Sequence, residues 1–382
     1  MKGSVQPQSA NAEAGRLRVE LGPRSYEILV AEGLIAEAGA LIAPLVVRPR
    51  VVVVTDETVA RLHLPALKAG LVKARLEHLE IVLPPGERTK DFVHFERLID
   101  DLLDAGIERG DTVVAFGGGV VGDLTGFAAS VLRRGVAYVQ VPTTLLAQAD
   151  SAVGGKTGIN TRHGKNLVGT FHQPRLVLAD VGVLATLPRR ELRAGYAEVV
   201  KYGLIGDAPF FAWLEENGKA VCDGEAPALR HAVLASCTAK ARVVAADERE
   251  AGRRALLNLG HTFAHALEAA TGYDGDRLLH GEAVAIGLVL AFELSVRLDL
   301  CAAEEAWRVR RHLEAVGLPT SPKAIPGAGW EVHAILDHMA EDKKVQEDRV
   351  AFVLTRGIGQ AFLSRDVPPE EVLRLLEACL AG

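Results

Sequence analysis

Residues 111–123 read DTVVAFGGGVVGD. The β-branched and aromatic run 111–116 predicts a strand, three glycines end it, and a helix opens at once. Gly117 to Gly122 satisfy the G-x-G-x-x-G pattern in its strand–turn–helix context. Glycines let the backbone approach a pyrophosphate, and the helix N-terminus offers N–H donors and the positive end of its dipole. A tight βα turn with no ligand fits the same letters, so the motif alone does not decide. The usual fingerprint places an acid about 20 residues later, on the ribose. Here the next strand ends in Pro142-Thr143-Thr144, and the acid stands after an earlier strand, at Asp56. This is not the ordinary dinucleotide arrangement, although a nucleotide can still lie across the sheet edge.

Outward from that turn, strands and helices alternate. Residues 17–30 read as a hairpin around a Gly-Pro turn. The run 50–55 (RVVVVT) has the β-branched texture of a buried parallel strand, with a helix following to about residue 70. Strands are expected at 78–83 and 136–141, and a helix over 91–106. Strands separated by helices imply right-handed βαβ units in a parallel sheet. Beyond about residue 188 the chain turns rich in Ala, Leu, Glu and Arg at helical spacing: 189–219, 226–247, 255–271, 280–300 and 303–316. A short strand at 349–355 and a helix near 368–380 close it. The fold class expected is α/β, with a Rossmann-like parallel-sheet nucleotide-binding domain (17–187) and a mostly α-helical metal- and substrate-binding domain (188–382). Residues 1–16 read as a polar, disordered tail.

The formal net charge of −6 over 382 residues announces no nucleic-acid partner. Four cysteines, none in a CxxC pair, argue against a disulfide framework or a cysteine zinc site. The first residues carry no apolar signal segment, and no apolar run is long enough for a bilayer. The expected location is the cytoplasm, with no membrane partner.

Two features call for chemistry. His261 and His265 stand at i and i+4 on one helix face, but Thr262 occupies the place of the zincin glutamate, which disfavours metalloprotease chemistry. His280 precedes Gly281-Glu282, and Glu198 lies three residues before Lys201. Catalytic zinc takes three protein ligands and keeps a position open, so a Glu198, His261, His280 set suits a divalent ion. Any one of these histidines alone would read as a core residue. The second feature is cationic and amide groups in glycine-rich or apolar surroundings: Lys156, Lys165, Asn166, Lys201, Lys240, Arg254 and Asn258. Burying them requires a counter-charge, which a phosphate or carboxylate substrate supplies. The plainer reading is a set of solvated lysines. The turn Pro85-Gly86-Glu87-Arg88-Thr89-Lys90 offers ribose and phosphate contacts of the same weak kind.

Together, GGGVVGD, VPTTLLAQADSAVGGKTGIN, GKNLVG, GYAEVVKYG, NLGHTFAHALE, LLHGEAVAIG and a late DKK resemble 3-dehydroquinate synthase, in that family's order, over roughly residues 50–360. The resemblance implies conversion of 3-deoxy-D-arabino-heptulosonate 7-phosphate, a sugar-acid phosphate, to a carbocycle in the shikimate pathway. It also implies NAD, a divalent metal (Zn or Co) and a homodimer. The metal would acidify a substrate alcohol and NAD⁺ would take and return a hydride. Between those steps phosphate is eliminated, and ring opening and an aldol closure follow. By the same resemblance, Glu198, His261 and His280 match the metal ligands. Cofactor contacts match Asp56, the segment 85–90, Gly119, Val120, Val121, Gly122, Asp123, Thr143, Thr144, Lys156, Lys165, Val183, Leu184, Ala185 and Thr186. Substrate contacts match Asp150, Lys156, Asn166, Lys201, Lys240, Arg254, Asn258 and one of Lys343 or Lys344. Arg134 matches a residue that reaches the phosphate of the neighbouring subunit. Glu250 and His265 match proton-transfer groups. Three features depart from the family pattern: Ala264 for Gly, Ala152 for Ser, and a loop Gly272–Leu279 about two residues longer than usual. A related sugar-phosphate cyclase and a metal-dependent polyol dehydrogenase are the alternatives.

Overall fold

The structure is a computed structural model, and it describes residues 15–250, 252–325, 327, 329–341 and 351–380. The expected tail therefore lies outside the described residues except for Gly15 and Arg16, which open the first strand. The chain divides into two compact units, residues 1–187 with 229–241, and residues 188–228 with 242–382.

The first unit is built on a seven-stranded sheet. Its strands are β1 (Gly15–Val19), β2 (Tyr26–Ala31), β3 (Arg50–Asp56), β4 (Glu77–Leu83), β5 (Thr112–Gly117), β6 (Ala137–Pro142) and, after a separate hairpin, β9 (Leu176–Asp180). The spatial order is β1-β2-β9-β6-β5-β3-β4, and every pair but β1–β2 is parallel. Helices α1 (Leu34–Ile42), α2 (Glu57–Lys73), α3 (Phe92–Asp104) and α4 (Gly119–Val131) connect these strands. The valine run of β3 shows why the sheet is central. Val51 and Val53 join Leu67 and Leu71 of α2 in one core, while Val52 and Val54 join Leu98 of α3 and Leu124 of α4 in the other. A strand buried on both faces must be apolar at every position, and these four valines are.

The α/β class and the alternation of strands and helices stand as expected. Three features lay outside the sequence reading. The hairpin β7 (Lys156–Thr161) and β8 (Gly164–Phe171) occupies a stretch read only as motifs. Strand β9 carries an apolar run, Leu176-Val177-Leu178, that inserts between β2 and β6. Its Asp180 carboxylate accepts the N–H groups of Gly33 and Ile35, tying the sheet to the start of α1. Lastly, residues 229–241 lie in a helix of the second half of the chain yet group with the first unit. The helix α7 (Ala226–Ala246) is therefore divided between the two units.

The second unit is helical: α5 (Arg189–Gly206), α6 (Ala208–Asp223), the ends of α7, α8 (His261–Ala270), α9 (His280–Arg297), α10 (Ala303–Ala315), α11 (Val332–Glu341) and α12 (Pro369–Leu380). A two-stranded hairpin of β10 (Phe352–Thr355) and β11 (Ala361–Ser364) is its only sheet among the described residues. The single helix expected over 189–219 is two. Asp207 leaves helical geometry and caps the next helix through the Phe210 N–H, with Pro209 in its first turn. The expected helix at 255–271 begins only at His261, because Gly260 takes φ +79° after a 3₁₀ turn, Arg253–Asn258. No helix among the described residues is long and apolar enough to cross a membrane.

Inside this unit, α5, α6 and α10 meet around a buried polar pair. Tyr196 Oη lies 2.9 Å from His312 Nε2, and a Cβ on Gly218 would sit 2.3 Å from that hydroxyl. Burial lowers the His312 pKa from 6.5 to about 4. Between those values the unfolded chain binds the proton more readily than the folded one. The stability held by neutral His312 is thus complete above pH 6.5 and is lost as pH falls toward 4, roughly 3 kcal/mol at most. In urea titrations at pH 7 and pH 4.5, the wild type is expected to lose more stability than His312→Gln does.

Candidate active site

Helices α5, α8 and α9 each bring one donor to a common point. Glu198 is buried on α5, His261 is the first residue of α8, and His280 is the first of α9. Glu198 Oε1 lies 3.4 Å from His261 Nε2 and 3.2 Å from His280 Nε2, and the three donor atoms all fall within 4.8 Å of one another. Among the described residues this is the one cluster of His, Cys, Asp and Glu side chains with such spacing.

Close backbone packing makes the convergence possible. A Cβ on Gly281, directly after His280, would fall 1.8 Å from the Ala194 carbonyl of α5. A Cβ on Gly287, two turns on, would fall 2.1 Å from the carbonyl of Gly260, directly before His261. The first two turns of α9 thus lie backbone to backbone against both partners, which no larger residue allows at these positions. Ala264 is fully buried at the same contact, its backbone N 3.2 Å from that Gly287 position.

The ring nitrogens turned away from the cluster are held. His261 Nδ1 lies 3.1 Å from the Leu259 carbonyl, an acceptor, so it carries the hydrogen and Nε2 keeps its lone pair. Burial lowers the His261 pKa, which keeps the ring neutral. His280 stands between two carboxylates, Glu268 Oε2 at Nδ1 (2.9 Å) and Glu198 Oε1 at Nε2 (3.2 Å). Burial works against its charge, but Glu268 and Glu198 outweigh burial and raise its pKa to about 10. A divalent ion held here would take the place of the Nε2 proton, while Nδ1–H would keep donating to Glu268. Burial would raise the Glu198 carboxyl too. Lys201 Nζ, 2.6 Å from Oε2, and then His261 hold it well below the usual carboxylate range. Two fixed nitrogens and one ionised oxygen, with Glu198 and His261 buried and His280 partly so, form a donor set that fits a divalent ion of the zinc or cobalt type.

His265 stacks over His280, ring centroids 6.3 Å apart, and meets His261 edge-on at 5.4 Å. Lys201 belongs to the same cluster through Glu198. Arg254 is buried in the 3₁₀ turn before α8, donating to the Glu248 carbonyl, and Asn258 ends that turn exposed. Glu250 sits at φ +60° just after α7. The loop 272–279 is clamped by Arg190, which forks onto both Glu282 carboxylate oxygens (2.7 and 2.8 Å) and onto the carbonyls of Asp276 and Arg277. That clamp anchors a longer loop at its junction with His280. Lys343 and Lys344 lie outside the described residues.

In the first unit, the carboxyl ends of β3, β4, β5, β6 and β9 carry the other expected residues. β3 lies between β4 and β5, so the chain order reverses there, where open α/β sheets bind ligands. Asp56 ends β3 and caps α2, accepting both cap N–H bonds on Oδ1. The first bond inside α4 runs from Gly122 N to Gly118 O, which leaves the N–H groups of Gly119, Val120 and Val121 facing outward. A Cβ on Gly122 would strike Gln140 Oε1 of β6 at 2.7 Å. Thr143 donates its N–H to the Gly117 carbonyl, and Thr144 Oγ1 accepts from Ala147. Of Val183, Leu184, Ala185 and Thr186, the first two are buried, and Thr186 Oγ1 lies 2.8 Å from His63 Nε2. Lys240 of α7 reaches Asp150 Oδ1 at 3.1 Å. The segment Pro85, Gly86, Glu87, Arg88, Thr89, Lys90 follows β4. Its Lys90 is buried and donates to both Asp123 and Asn166. Lys156 opens β7, Lys165 lies on β8, and Arg134 is exposed at φ +70° beyond α4.

Comparison with known proteins decides the family. Residues 80–194 match the 3-dehydroquinate synthase N-terminal family model, and residues 195–345 match its C-terminal counterpart. The chain is 61% identical over 366 residues to the 3-dehydroquinate synthase of Rhodospirillum rubrum, covering 96% of this chain and 95% of that one. It is also 61% identical to that of Ruegeria pomeroyi, covering 96% and 99%. The chain belongs to the 3-dehydroquinate synthase family. Among solved structures, it is similar to the 2-epi-5-epi-valiolone synthase of Streptomyces hygroscopicus with NAD⁺ and Zn²⁺ bound (TM-score 0.85, 31% identity, 94% and 97% covered).

Glu268 is a residue that sequence reading of this 3-dehydroquinate synthase family member passed over. Its buried carboxylate fixes the His280 ring, and such partners of ligand histidines tune metal affinity. The signal was present: Glu268 lies on α8 seven residues after His261, two turns along the same face. Glu268→Ala is expected to weaken divalent-ion binding by about 10–100-fold, read by competition with a chelating dye.

Proposed function

We propose that this chain carries out the 3-dehydroquinate synthase reaction, taking 3-deoxy-D-arabino-heptulosonate 7-phosphate to 3-dehydroquinate and phosphate with NAD⁺ and a divalent ion, as a cytoplasmic homodimer. One observation carries the reading: a buried Glu198 ringed by Lys201, His261 and His280, in a member of this family. When bound, the ion would acidify a substrate alcohol and NAD⁺ would accept and later return its hydride.

The protein's own contribution is placement and charge. Glu198, kept ionised by Lys201, and the neutral His261 supply donors that need no reorganisation. His265, beside both ring ligands, is placed to take or return a proton. Arg254 brings a permanent positive charge suited to an acidic substrate. In the first unit, the outward N–H groups of Gly119 to Val121 suit a pyrophosphate, and Asp56 and the 85–90 segment flank it on neighbouring loops. Lys156, Lys165, Asn166, Lys240 and Asp150 line the same sheet edge and its hairpin with polar groups. In the dimer, Arg134, exposed beyond α4, would serve the neighbouring subunit's phosphate.

Metal-loaded protein, mixed with the heptulosonate phosphate and catalytic NAD⁺, is expected to release phosphate with no lasting absorbance at the NADH band. Stoichiometric NADH would sink the reading in favour of a dehydrogenase. Turnover only of a non-carboxylated sugar phosphate would place the chain with a cyclase relative. His261→Ala is expected to lose bound metal and turnover together, and a metal-independent active variant would overturn the ligand set.

A further inference from the structure

The geometry points to Asn160 as a positioning residue that locks the 85–90 segment and Asn166 into one unit; this rests on the reading above, in which that segment meets the cofactor and Asn166 the substrate. Asn160 lies at the end of β7, where pairing with β8 slips between Ile159 and Thr161. A slip of this kind frees a residue from the ladder and re-aims its polar groups, and such irregularities gather beside active sites. Here all three of the freed groups have partners. The Asn160 N–H donates to the Lys90 carbonyl at 2.7 Å. Its Nδ2 donates to Glu87 Oε1 at 2.7 Å, and its Oδ1 accepts the Asn166 N–H at 3.1 Å.

Lys90 closes the circuit. Its ammonium is buried and donates to Asn166 Oδ1 and Asp123 Oδ2. Asn166 itself is held at φ +57°, a left-handed geometry that costs a non-glycine residue free energy unless its surroundings impose it. The two bonds that impose it come from Asn160 at the backbone and Lys90 at the side chain. Glu87 and Lys90 on one side, and Asn166 on the other, therefore share one frame. Asn160 contacts all three and touches neither ligand in this reading. A hydrophobic residue at position 160 would keep the backbone bond to the Lys90 carbonyl but leave Glu87 and the Asn166 N–H to adjust independently.

The test uses full-length, metal-loaded protein. NAD⁺ affinity is measured by titration calorimetry without substrate, and KM for the heptulosonate phosphate by phosphate release. Asn160→Asp is nearly isosteric and keeps the acceptor for Asn166, but it sets a carboxylate against Glu87. It is expected to weaken NAD⁺ binding roughly tenfold and raise the substrate KM, with kcat changed less and the melting temperature held. In the Asn160→Asp/Glu87→Gln double variant, the amide introduced at position 87 can donate to the new carboxylate. That variant is expected to bind NAD⁺ as well as Glu87→Gln alone, the coupling a direct contact requires. Asn160→Ala, which removes both side-chain bonds, should raise both constants together. Unchanged constants in Asn160→Asp and Asn160→Ala, or a double variant no better than Asn160→Asp, overturns the proposal. Wild-type protein that binds NAD⁺ but releases no phosphate overturns the functional reading alone.

Discussion

A carboxylate that is 1% exposed cannot stay charged by itself, and the second unit is arranged around keeping Glu198 charged. Desolvation drives it toward the neutral acid. Lys201, one helical turn away, supplies the nearest countercharge at 2.6 Å, and His280, held between Glu198 and Glu268, adds to it. Buried ion pairs repay their desolvation only when geometry and hydrogen bonding are complete. Completion here requires α5, α8 and α9 to meet backbone to backbone. That in turn accounts for glycines at 260, 281 and 287, where side chains would collide with the backbone of the facing helix. The cluster and the packing are one constraint seen from two sides.

The first unit answers a different constraint. In the proposed reading, phosphates would meet groups there that cannot move away, namely the N–H donors at the start of α4 and polar side chains on loops after parallel strands. The sheet holds those loops still because β3, β5 and β6 are buried on both faces. Around this rigid edge the 85–90 turn and the β7–β8 hairpin are joined by hydrogen bonds, beside the buried Ile159 that seats the hairpin on the core. Polar fastening of this kind is specific in direction, so it can hold a strained residue such as Asn166 where a hydrophobic contact could not.

Much of this was legible in the chain itself. The valine run 51–54, the glycine turn at 117–122 and the helical spacing after residue 188 are local patterns, and local patterns report on secondary structure and burial directly. The donor set Glu198, His261 and His280 was legible as residue types in a shared motif context. The hairpin at 156–171 was not, because its strands are glycine-rich and polar, and so lack the apolar alternation that marks a half-buried strand. Nor was the break at Asp207, where a capping side chain outweighs a continuous helical composition.

The sequence by itself determined the class of fold, the family and the inventory of reactive groups, since all of these reside in composition, periodicity and ordered motifs. Only the tertiary structure decided how those groups act on one another. Which nitrogen of each histidine faces Glu198, which carboxylate holds His280, and which amide frames Asn166 depend on contacts between residues far apart in the chain. Charge state follows from the same contacts. A histidine with one carbonyl partner stays neutral, and one between two carboxylates does not, so His261 and His280 differ although each opens a helix in the same way.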